Sequence, residues 1–178
     1  NSRVKFTNDG RQPSCSSGQT LWPSSTYSVD ESQAVRAIGC MGSQAITSEK
    51  IHTYVFIDGP NNNQRSVLRQ KDKPYSDWPL LWMSLGTGGN ATQDFGMNQS
   101  VVNAHSGKIK KGLREVASLF LTVAPEDTFG PNLNGSGNGW MASGGGEVPG
   151  HIELLHADGK VEIAGIGVEG HSHHRMNK

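Results

Sequence analysis

The chain has 178 residues, 16 Lys and Arg against 16 Asp and Glu, and a formal net charge of zero. That balance argues against binding nucleic acid by phosphate neutralisation, since the one basic cluster, KIKK at 108–111, is short and soon followed by Glu115. Glycine, at 23 of 178 residues, is about twice its usual ~7% share, which suits short strands joined by tight turns and excludes a helix bundle, while no stretch approaches the ~18 apolar residues of a membrane span.

Residues 3–7 (RVKFT) alternate and read as a first strand. Residues 8–26, with Gly10, Pro13, Gly18 and Pro23, are rich in turn formers. They open an irregular N-terminal arm expected over about 8–45. Cys15 and Cys40 both sit in Ser/Gly-rich surroundings and are expected to close a disulfide across this arm. A loop of about 25 residues closed in this way gains roughly 3 kcal/mol by the chain-entropy argument. Residues 30–38 (DESQAVRAI) predict one short helix, with Ser28 or Asp30 as its cap, Glu31 in the first turn and Gly39 as its end.

Strands are expected from there on. Residues 51–57 (IHTYVFI) are β-branched and aromatic and stop at Asp58-Gly59-Pro60; further strands are read at 66–69, 80–85 and 100–103. Residues 113–123 fit a helical stripe through Leu113, Val116, Ala117, Phe120 and Leu121. They also alternate through Leu113, Ala117, Leu119, Leu121 and Val123, and the Thr-Val-Ala-Pro ending favours a strand. Residues 151–155 and 160–168 flank Asp158-Gly159, the strongest hairpin signal in the chain. The length fits one domain. The expected architecture is therefore mostly β: a single-domain antiparallel β-sandwich or jelly roll over 1–178, with one short N-terminal helix.

No nucleophile elbow, His-Glu-x-x-His or phosphate-binding loop is present. Asp94, Glu115, Glu147 and Glu153 include no pair singled out for glycoside hydrolysis, and His52 and His105 carry no recognisable motif. Three groups of residues remain as candidate sites. Trp140, flanked by Asn134 and Asn138 in a glycine-rich segment, offers a flat ring with amide groups near it, a combination suited to sugars. Asp58, Asn61 and Asn63 place oxygen ligands on one loop, where they suit a cation or sugar hydroxyls, and equally a plain turn. His171 and His173 lie on one side of an extended tail, and His151 or His156 could complete a divalent metal site.

A chain that opens with Asn1 is expected to be a processed product or part of something longer. These features favour a secreted or cell- or virion-surface domain that is not an enzyme and needs no cofactor. Its expected partners are a glycan or further copies of itself, as in an adhesin, oligomer or filament. The alternative is a metal-dependent or polysaccharide-acting enzyme that uses the C-terminal histidines.

Overall fold

The computed structural model describes residues 1–59, 65–69, 81–82, 91–92, 96–129 and 147–168. Most of the regular structure is strand, in antiparallel sheets. The larger sheet is organised around β3 (Gln33–Met41), and is called the β3 sheet below. On one edge β3 pairs with β1 (Ser2–Thr7) from Ser2↔Met41 to Thr7↔Arg36. On its other edge it pairs with β5 (Lys50–Tyr54) through Gln33–Ala37 and with β4 (Gln44–Ala45) through Cys40 and Met41. β2 (Gln19–Leu21) closes the far side of β1.

The helix expected over 30–38 is therefore a strand. Ala, Gln and Arg favour helices weakly, but partners on both edges satisfy the backbone of β3 and override so small a preference. Gln33, Arg36 and Cys40 are its buried residues. On one face of the sheet the Phe6 and Tyr27 rings lie 4.6 Å apart, and the Gln33 side-chain oxygen accepts from the Tyr27 hydroxyl at 3.2 Å and from Asn8 at 2.8 Å. Cys40 bonds to Cys15, with the Cα atoms 5.6 Å apart, as the sequence suggests. The arm expected over 8–45 thus contains β2 and β4, and from Gln33 it is the central strand of the sheet.

The second sheet, the β9 sheet, runs β10-β9-β8, formed by β8 (Ser118–Val123), β9 (Val148–Leu155) and β10 (Val161–Val168). β9 and β10 form the expected hairpin. Gly159 turns the chain at φ +87°, a conformation that costs glycine nothing. The Asp158 carboxylate accepts from the Lys160 amide at 2.9 Å. A two-stranded pair, β6 (Leu81–Trp82) and β7 (Ala91–Thr92), lies between the sheets in sequence.

Residues 100–103, expected as a strand, belong to α1 (Gln99–Glu115), and a single turn, α2 (Pro125–Phe129), follows β8. Asn98 caps α1, its side-chain oxygen accepting from the amides of Ser100 and Val101. The helix is kinked at His105. The ambiguous segment 113–123 divides: its first residues end α1, and the alternating part from Ser118 is β8. Residues 66–69, also expected as a strand, form a turn. Its Leu68, like Val102 on α1, is fully buried, and Gln99 donates to the Leu68 carbonyl at 3.0 Å.

Candidate functional site

Charged side chains converge where the β3 sheet meets the β9 sheet. Arg36, on β3, is only 5% exposed. Its Nε donates to Glu49 Oε1 at 2.6 Å and one terminal nitrogen to Oε2 at 3.0 Å; the other donates to the Gly10 carbonyl at 2.7 Å. This two-pronged pairing of a planar guanidinium with a carboxylate is the geometry that makes a buried ion pair tolerable. His151 on β9 approaches from the other sheet, its Nε2 lying 3.5 Å from Arg36 and 3.7 Å from Glu49.

A second pair extends the seam. Glu153, two residues along β9 on the same face, is 3% exposed. It accepts a hydrogen bond from the Thr53 hydroxyl on β5, and His52 Nδ1 lies 3.5 Å from its other oxygen. The sheets are thus joined by hydrogen bonds across a buried interface. Two imidazoles each face a carboxylate. One of them also faces the Arg36 guanidinium, whose positive charge opposes a metal cation bound there.

Gly10 lets the chain reach this seam. Its φ is +88°, and a side chain there would start 2.8 Å from the Val123 carbonyl oxygen. Only glycine combines that backbone conformation with so close an approach.

The outer face of the β9 sheet has a different character. Neighbouring residues in register form the rows Leu121-Ile152-Ala164 and Leu119-Leu154-Glu162 across the three strands. These side chains point away from the face that carries Thr122, His151 and Glu153. Leu119 is 62% and Leu121 56% exposed, whereas Thr122 and Glu153 are buried. Leu119 and Leu121 are thus exposed on the outer face, while the inner face buries a carboxylate and a hydroxyl beside Phe120 and the half-exposed Ile163. At Leu119, Leu121, Thr122 and Glu153 this reverses the usual arrangement of a half-buried sheet.

Among the residues proposed from sequence, Trp140, Asn134, Asn138, Asn61, Asn63, His171 and His173 lie outside the described residues. Asp58 pairs with Arg69 at 3.2 Å and with Lys110 on α1. These hydrogen bonds, chiefly that from Lys110, hold its carboxyl below the ordinary aspartate range. His151 belongs to the seam, and His156 lies 3.2 Å from Glu162 at the hairpin end. Among the described residues, no three His, Cys, Asp or Glu side chains are placed to hold a metal ion. No helix among them is long and apolar enough to cross a membrane.

Arg36, Glu49 and Thr53 were not legible as site residues, and His52 and Glu153 carried no motif. Arg36 and His151 are 115 positions apart; only the pairing of β3 with β5 and the approach of β9 bring them together. The outward leucines left a clearer signal, because alternation through Leu119 and Leu121 placed both on one face. Compared with family models, curated proteins and solved structures, the chain matches none.

Proposed function

We propose that this chain is a non-enzymatic, extracytoplasmic β-domain that works by surface contact, through the outer face of the β9 sheet. The observation that carries this reading is the outward exposure of Leu119 and Leu121 on a sheet whose opposite face holds buried Thr122 and Glu153. Neighbouring large apolar side chains left exposed, as Leu119 and Leu121 are, are characteristic of a contact surface. The Cys15–Cys40 disulfide supports an oxidising compartment, where such bonds persist. The partner is a glycan or another copy of the chain. Aliphatic leucines favour the second copy, because sugars stack preferentially on aromatic rings.

Glycan arrays and sedimentation velocity on the same preparation test the proposal. The expected result is binding or self-association that Leu119→Glu weakens while circular dichroism is unchanged. A chain that stays monomeric at every concentration and binds no glycan overturns it.

A further inference from the structure

Among the described residues, the outermost strands of the two sheets are not alike. β2 is three residues long, and the Lys5 side chain lies across it, donating to the Thr20 hydroxyl at 2.9 Å. β5 carries Lys50 and His52, and β10 carries Glu162 together with Gly165 and Gly167. Short length, charge and glycine are the usual protections against another chain adding itself to a sheet. β8 has none of them: Ser-Leu-Phe-Leu-Thr-Val is six residues without a charge, proline or glycine. It is the outermost strand of its sheet, paired with β9 on one edge only among the described residues.

The sequence of β8 is also complementary to itself. In an antiparallel pair related by a two-fold axis perpendicular to the sheet, opposed residues share a face. An axis at Phe120 sets Leu119 against the partner's Leu121, and Leu121 against the partner's Leu119. On the other face it sets Ser118 against the partner's Thr122. Exposed leucine meets exposed leucine and hydroxyl meets hydroxyl, the cross-strand pairs that stabilise sheets. An axis one residue further along needs Val123, where the backbone of Gly10 already approaches the carbonyl. A net charge of zero adds no long-range repulsion between two copies.

We infer that the chain forms a two-fold symmetric dimer by antiparallel pairing of β8 with β8 of a second copy, centred on Phe120, which joins the two three-stranded sheets into one. This rests on the surface-contact reading and commits it to one partner, a second copy. The Leu119 and Leu121 faces then run on continuously from one subunit to the other.

Sedimentation velocity of the full chain across micromolar concentrations is expected to show a monomer–dimer equilibrium. Leu121→Lys puts a charge into the junction and is expected to raise the dissociation constant at least about tenfold. Covalent capture fixes the register without disturbing the charge balance. Under mild oxidation, an equimolar mixture of Leu119→Cys and Leu121→Cys chains is expected to give more disulfide-linked dimer than either variant by itself, because each cysteine opposes the other across the axis. A wild type that is monomeric throughout overturns the inference. So does a dimer that Leu121→Lys leaves intact and the cysteine mixture fails to link. The surface-contact reading survives that second result, and it survives the first if a glycan binds; a monomer that binds no glycan removes both.

Discussion

Asp58 links three segments of the chain. Its carboxylate follows β5, accepts from Arg69 in the 65–69 turn and from Lys110 on α1, and is held below the ordinary aspartate range chiefly by Lys110. A depressed carboxyl favours the fold above its unfolded-state value, and that contribution is lost as pH falls through the folded-state value. The pair lies near the surface, so screening limits its worth to about 1 kcal/mol or less. Asp58→Asn is expected to lower stability by about 0.5 kcal/mol at neutral pH. In urea unfolding, the difference from wild type should shrink as the medium is acidified below the carboxylate range, and added salt should reduce it. The residue itself was visible in the sequence as part of an oxygen-rich loop. Its partners were not, because Lys110 stands far along the chain on a helix whose place depends on packing.

Among the elements, the hairpin β9–β10 and the helix α1 show opposite degrees of local control. Asp158-Gly159 specifies the hairpin turn by backbone preference, and the register from Leu155↔Val161 follows from it. α1 contains the β-branched pair Val101-Val102 and two glycines, Gly107 and Gly112, each a poor helix former. Its propensity is weak, and the fully buried Val102, the Gln99 bond to Leu68 and the Asn98 cap hold it in place. Asn98→Ala leaves the Ser100 and Val101 amides without their acceptor. It should cost about 1 kcal/mol, measured by urea unfolding, with earlier loss of helical ellipticity on heating. β3 is the converse of α1. Its residues read as a helix in isolation, because weak propensity is the only local guide, and its ladders with β1 and β5 decide otherwise.

For the molecule as a whole, the seam between the two sheets matters most. Arg36 is buried between Glu49, the Gly10 carbonyl and His151, so removing it strands a largely buried carboxylate and a carbonyl. Arg36→Met is expected to destabilise by about 3–5 kcal/mol, and Arg36→Met combined with Glu49→Leu should recover part of that loss, because no unpaired charge then remains. Denaturant unfolding of both variants measures the difference. Composition and near neighbours along the chain were enough for the mostly-β class, the strands β1 and β8, the Asp-Gly hairpin and the expectation that Cys15 and Cys40 pair. Features that need distant partners came only with the folded chain: β3 as a strand, α1 as a helix, the polar seam, and the outward turn of Leu119 and Leu121. A strand's alternation tells which residues share a face. Which of the two faces is buried depends on what packs against it, and here that is Arg36, Glu49, His52 and Thr53, which stand far from β8 and β9 in the chain.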